Sequence, residues 1–571
     1  MPHRTTRASA ARSRLPDVDN DRVRLDLRID NANVMTMDPA HPVAGSVGVW
    51  NGLVAALDGD AAALPAARVV DAAGATVLPG FIDAHTHLCW AGLEAGATDI
   101  SGASSVEEAL ASIGAAAARA PDGAWVDVAG YDQRALGRHL TAVELDQMGG
   151  GRSVYVQHRS GHVCVVSSDV LAQLPDGWLT PGREGVDIGA DGQPTGVLAE
   201  AAMLGVRDLR VPYAQAAIVD ALERTARVCL AQGVTMCTEA GIGTGLLGHS
   251  PVELAAYQAA VDQGRLPVRA QVMVASDVIH DLTANAADGL RRGLDLGLRT
   301  GLGDSRLSVG ALKIYTDGGM MARTAALTEP YLSGSGLPGS NCGMLQRDPA
   351  ELITAMIDGH AAGWQLAVHA IGDRALDVAL DGIGQAQEAR PRPEARHRVE
   401  HAGLVRPDQL RRMASLGVTA VIQPTFLYAY GDDYAAILGP ERAGFLYRGR
   451  SFLDAGVRVA GSSDRPVADG APLRAIAFMA DRRSSSGQVI GPGEELTITE
   501  ALEAYTIHAA WACGAEQWVG SIMPGKHADF VVMAEDPTRV PPDRIPGIEI
   551  RATLVGGEIA YGGLPGHRAE S

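Results

Sequence analysis

Residues 81–90 read FIDAHTHLCW: an apolar run that ends in two histidines one residue apart. Side chains alternate faces along a β-strand, so positions i and i+2 point the same way. His85 and His87 would then project together, as two nitrogens on one cation must. The same pair could equally be two polar residues that close a strand, so its meaning depends on the rest of the chain. Cys89 lies two residues further on. Read as part of the same strand it shares that face, although a small buried apolar role also suits it.

Working outward, seven further short β-branched or apolar runs follow: GVTMCTEAG (233–241), VRAQVMVAS (268–276), VGALKIYTDG (309–318), QLAVHAIGD (365–373), HRVEHAG (397–403), VTAVIQPTF (418–426) and VRVAGSSDRP (457–466). With TVLPGFIDAHTH (76–87) they make eight. Most are separated by helix-like stretches such as PAELITAMIDGHAAG and RPDQLRRMASLG, which carry Pro near the start and Gly at the end, as capped helices do. Eight strands alternating with helices predict an α/β protein built on a (β/α)8 TIM-like barrel over residues 80–515.

Two features sit outside that rhythm. Residues 23–79 and 516–562 are both rich in short alternating runs with Gly, Asn and Asp turns, and are expected to form one small β-sandwich domain from both chain ends. About 145 residues separate the first barrel run from the second, far more than an ordinary βα loop. Residues 100–212 are therefore expected to be an insertion with strands of its own, AWVDVAGYD and SVYVQHRSGHVCVV. It emerges on the C-terminal, catalytic face of strand 1, where covering the site is its natural role. Residues 1–22 are expected to be a disordered tail and residues 563–571 a second tail.

Composition narrows the class. With 46% hydrophobic and 20% charged residues the chain reads as globular, and its formal charge of −19 argues against a nucleic-acid or anionic-membrane surface. No apolar run approaches the roughly 20 residues of a membrane span. The six scattered cysteines show no C-x-x-C spacing, which suits reduced thiols in a cytoplasmic enzyme. A homodimer is the default assembly, symmetric dimers being common.

Barrel strands should be apolar, so ionisable groups at their C-terminal ends are informative. Strand 1 ends in His85 and His87, strand 4 carries Lys313, strand 5 ends at His369, strand 6 at His401 and strand 8 at Asp464. Taken singly, each has a plain structural role open to it: Lys313 could pair with Asp317, and Asp464 could cap the next helix. Burying all six together is costly unless they are paired or bind metal. The set H-x-H, Lys, His, His, Asp resembles the signature of the amidohydrolase superfamily of metal-dependent hydrolases. VGALKIYTDGGMMARTAALTEPY, HAIGDRA, RVEHAG and SSDRPV resemble the branch that contains N-substituted formamide deformylases and similar exocyclic amidases. The likeness runs from about residue 23 to 562. One local departure places Ser167, in GHVCVVSSDVL, where that branch often has Asn.

The resemblance implies that His85, His87 and Asp464 hold the more buried of two divalent metal ions and that His369 and His401 hold the other. Lys313, carboxylated by carbon dioxide, would bridge them. A lysine amine deprotonated in a low-dielectric pocket can undergo that addition. Zinc suits a His-plus-carboxylate set with an open position, and affinity ordering leaves manganese, iron and cobalt open. The expected chemistry is hydrolysis of a carbon–nitrogen bond in a small-molecule substrate, a linear amide or N-formyl group. A metal-bound hydroxide would attack, with Asp464 as general base and then acid. Arg374, His162, Tyr131 and Trp90 are candidate substrate contacts. Glu400, next to His401, should point away and support the fold. The same site acting on a cyclic amide, a lactone, a phosphoester or a deamination substrate is an alternative, since fold does not determine reaction. A noncatalytic barrel is another, against which the complete ligand set argues.

Overall fold

The computed structural model describes residues 24–121, 123–180, 182–246, 248–332 and 341–564. Residues 1–22 and 565–571, within the expected tails, lie outside it. Eight parallel strands form one sheet: β1 (Phe81–Thr86), β2 (Val234–Ile242), β3 (Arg269–Ala275), β4 (Leu307–Tyr315), β5 (Leu366–Ala370), β6 (Arg398–His401), β7 (Thr419–Ile422) and β8 (Val459–Gly461). Each pairs in parallel with the next. The seam between β8 and β1 is closed by the segment after β8. Asp464 N–H donates to the His85 carbonyl at 2.8 Å, and His87 N–H donates to the Arg465 carbonyl at 2.9 Å. Strands buried on both faces read as near-continuous apolar runs, which is why the eight stand out in the sequence.

The outer helices show why their segments are helical. In Asp373–Ala389, Leu376, Ala379, Leu380, Ile383 and Ala386 recur at helical spacing and are buried against the sheet. Trimming Leu376 to Ala there would cost about 2–5 kcal/mol. Pro349–Ala361 starts with its proline in the first turn and with Asp348 accepting from Ala350 N–H. Pro407–Leu416 ends at Gly417, whose φ of 63° only glycine adopts readily.

The run TVLPGFIDAHT serves two sheets. Thr76–Pro79 pairs with Asn33–Met35 and with Phe530–Met533, joining the two chain ends in a six-stranded sheet. A four-stranded sheet of residues 25–71 packs on it around Leu27, Ile29, Val47, Val77, Phe530 and Leu554. Gly80 is the crossing point into β1. A Cβ there would lie 2.2 Å from the Thr235 side chain, so a larger residue would push β1 off β2.

The long interval after β1 folds around its own mixed sheet, in the order Val186–Ile188, Pro194–Ala199, Val163–Val166, Val154–His158, Val126–Tyr131 and Thr98–Asp99. Ile113, Leu140, Leu145, Val128 and Val156 fill its core. Among the described residues no helix is long and apolar enough to cross a membrane.

Candidate active site

Strand β1 stops at Thr86, one residue before the second histidine. His87 is the residue before a helix, Leu88–Glu94, and its backbone is held by Arg465 rather than by a strand neighbour. The helix turns Cys89 away from the His87 face. Its N–H donates to Glu239 at 3.2 Å, and its thiol is buried with His249 and Glu253. The shared strand face expected for Cys89 therefore does not form.

All six strand-end groups, His85, His87, Lys313, His369, His401 and Asp464, line one narrow cavity, together with Trp90, Ser160, Gly161, His162, Leu246, Tyr315 and Val467. Donor atoms of His85, His401 and Asp464 lie within 4.8 Å of one another. The His369 and His401 rings are 4.4 Å apart between centroids, and the His85 and His401 rings 5.0 Å. Two of these residues carry backbone strain: His401 has φ 72° and Asp464 φ 53°. Such left-handed conformations of non-glycine residues cost roughly 1–3 kcal/mol each and persist only where the surroundings enforce them.

Each imidazole is oriented by a partner. His85 Nδ1 donates to Glu400 Oε2 at 2.5 Å, and Glu400 is itself gripped by Arg398. Glu400 was expected to point away from the site. It reaches inward because the backbone leaves strand geometry at His401, so both neighbours face the interior. His87 Nδ1 lies 3.3 Å from Glu239 Oε1, and His401 Nδ1 lies 2.7 Å from Gln423 Oε1, which is anchored in turn by Ser462. His369 Nε2 sits 3.3 Å from Asp317 Oδ1. That carboxylate also accepts the N–H groups of Ala326, Ile371 and Gly372. Asp317 thus belongs to the β5 turn and not to Lys313.

With Nδ1–H committed to Glu400, His85 turns Nε2 toward Asp464 Oδ1 at 3.3 Å, while His87 Nε2 approaches the same oxygen at 3.0 Å. Asp464 Oδ1 is nonetheless buried without a hydrogen bond. Lone pairs from an imidazole and a carboxylate converging without a proton between them suit a divalent cation. Burial is the main cause that brings the Lys313 amine down to about 8, with Nζ 3.4 Å from His85 Nε2.

The other expected contacts divide. Trp90 and His162 line the cavity. Trp90 packs on Gly161, where a Cβ would come within 2.4 Å of its ring. Tyr131 instead lies in the core of the insertion with its hydroxyl on His139. Arg374 is exposed on the outer helix, because the position five residues past His369 already lies beyond the barrel mouth. Ser167 Oγ accepts from Val154 N–H at 2.8 Å inside the insertion. Sequence reading missed Glu239, Gln423, Tyr315 and Glu200. The first two sit on or next to β2 and β7, and a buried acid or amide in an apolar strand was the available signal.

A model of the amidohydrolase family (Amidohydro_3) matches residues 68–561. Protein LONG AFTER FAR-RED 3 of Arabidopsis thaliana is 30% identical, over 94% of this chain and 91% of its own. N-substituted formamide deformylase of Arthrobacter pascens is 29% identical, over 94% of this chain and 98% of its own. A solved metal-dependent hydrolase from Pyrococcus furiosus superposes with a TM-score of 0.67 at 26% identity, covering 90% of this chain and 100% of that one. The chain belongs to the amidohydrolase family and is a metal-dependent hydrolase acting on carbon–nitrogen bonds.

Proposed function

We propose that this site hydrolyses a linear amide, foremost an N-formyl amine, using one or two divalent cations held by His85, His87, His369, His401, Asp464 and Lys313. The observation that carries the reading is the convergence of these six side chains on one narrow cavity around the unsatisfied Asp464 Oδ1. Such cations, zinc first among them, supply Lewis acidity and make a water acidic enough to ionise near neutral pH.

The chain's own groups do the rest. Asp464 accepts the proton that the attacking water loses and returns it to the leaving nitrogen. Glu400, Glu239 and Gln423 hold the imidazole rings so that no rotation is needed during the reaction. Lys313, its amine unprotonated above about pH 8, adds its lone pair to the carbon of carbon dioxide and loses a proton to water. The carbamate it becomes would carry the negative charge that helps hold the cations. The free space beside these groups is about 290 Å³, open mouth included, which suits a small acyl group better than a large one. The similarity to the formamide deformylase supports the N-formyl choice, and six free cysteines suit a cytoplasmic enzyme.

The test is a panel of N-formyl amines, N-acyl amino acids and cyclic imides, run on protein of measured metal content. Release of formate from N-formyl amines, with the others turned over poorly, is expected. Ring opening of the imides with no formate release would replace this reading with the cyclic-amide one.

A further inference from the structure

His162 enters the cavity from the insertion, and the way it is held limits what it can do there. Its Nδ1 lies 3.0 Å from Glu200 Oε2. Glu200 is 1% exposed and has φ 49°, a strained conformation for a non-glycine residue. Its carboxylate is met by donors on both oxygens. Thr324 Oγ1 donates to Oε1 at 2.5 Å, and Gln346 Nε2 donates to Oε2 at 2.7 Å. Thr324 Oγ1 already accepts from Gly319 N–H at 2.9 Å, so its proton is free for Glu200. A carboxylate surrounded in this way accepts only, and Nδ1 of His162 must therefore carry the proton. Two glycines make room for the arrangement. A Cβ on Gly318 would lie 2.3 Å from Glu200 Oε1, and one on Gly319 3.0 Å from His162 Cδ2.

In the neutral ring the other nitrogen, Nε2, is then a bare acceptor. It has no hydrogen-bond partner among the described residues, and the ring lines the cavity 6.0 Å from that of His369. A scissile amide in that cavity presents a carbonyl oxygen, which needs donors or a cation, and an N–H, which needs an acceptor. The cations that Lys313 and the strand-end histidines and Asp464 would hold address the carbonyl side. We propose that His162 Nε2 accepts the N–H of the scissile amide and that Glu200 is the positioning residue that fixes this tautomer. The site would accordingly take amides that retain an N–H and discriminate against their N,N-disubstituted counterparts. This rests on the amide-hydrolase reading above and adds a selection rule to it. The insertion then contributes a substrate contact as well as cover.

N-propylformamide and N-methyl-N-propylformamide are the probes, each followed by calorimetric binding and by formate release from the metal-loaded enzyme. Wild type should favour the N–H compound about 10–100-fold, the usual consequence of leaving a buried hydrogen-bonding group unpaired. His162→Ala should abolish the preference by weakening the N–H compound alone, with the N-methyl compound and the metal content unchanged. Glu200→Gln, which can present either amide face to Nδ1, should keep the fold and reduce the preference in part. A merely structural role for either residue would lower both compounds together. Equal binding of the two by wild type, binding of neither, or an undiminished preference in His162→Ala would overturn the inference. Discriminating binding without formate release would leave it standing and remove the N-formyl reading instead.

Discussion

Histidine pairs occupy both ends of the barrel, and β6 links them. At the C-terminal end His401 faces His369. Just before β6, at the opposite end, His397 faces His360 from the helix Pro349–Ala361, with His360 Nδ1 2.7 Å from His397 Nε2. In the lower pair every nitrogen is committed. His397 Nδ1 accepts from Leu366 N–H at 3.0 Å, its Nε2–H donates to His360, and His360 Nε2–H donates to the Arg390 carbonyl at 2.7 Å. In the upper cluster Asp464 Oδ1 has no hydrogen bond, and most partners are carboxylates and an amide that orient rings, with the Gly318 carbonyl 3.2 Å from His369 Nε2 as a backbone partner. Buried histidine alone therefore says little about function. What separates the two ends is whether every polar atom has a hydrogen-bond partner: the lower pair is fully paired, and the upper cluster leaves Asp464 Oδ1 open.

The largest expected effect sharpens that contrast at the upper end. Asp464→Asn, compared at equal metal content, should lower turnover by about 10²–10⁴-fold, the range for a lost general base, with the unfolding midpoint nearly unmoved. Wild-type turnover in a metal-replete variant would sink the role given to Asp464. At the lower end His397→Ala should do the reverse. It leaves Leu366 N–H buried without its acceptor and opens a void, costing about 2–4 kcal/mol in denaturant unfolding. Bound metal and turnover per folded molecule should hold.

Glu400→Gln is a smaller change that tests whether a carboxylate beneath His85 matters to the ligand and not just to packing. Metal affinity should fall about 10–100-fold, as for other groups that orient a ligating imidazole, as read by chelator competition. An unchanged affinity would make Glu400 a purely structural partner of Arg398. The most gradual effect is a pH slope. Burial, with the charges of His360 and Arg392 adding to it, lowers His397 to about 3, against an ordinary value of 6.5. The unfolded chain therefore takes up that proton first as pH falls. The stability associated with His397 is full above about pH 6.5 and declines toward pH 3, by about 1.4 kcal/mol per unit within that window. Denaturation curves at stepped pH should show a shallower decline in His397→Ala. An identical slope would mean that the acid sensitivity resides elsewhere.

The barrel was legible because its strands are buried on both faces and its helices carry capping residues at their ends. The least legible strand was β6, where Arg398 and Glu400 interrupt the apolar pattern although both are fully buried. The pair His85 and His87 was read as two residues on one strand face. They do reach one cavity, but His87 does so from the start of a helix, tied to the segment after β8. Arg374 was singled out for lying five residues past His369 and Tyr131 as an aromatic wall of the substrate pocket, and the structure sends one to solvent and the other into the core of the insertion.

Taken by itself, the sequence determined the eight-strand rhythm and the ionisable residues at the strand ends, because both follow from local periodicity and from the cost of burying charge. Only the tertiary structure decided which nitrogen of each imidazole is spent and which is free. Those commitments join residues far apart in the chain, as His85 and Glu400 are at 315 positions, and a period of two residues along a strand carries no information across that distance.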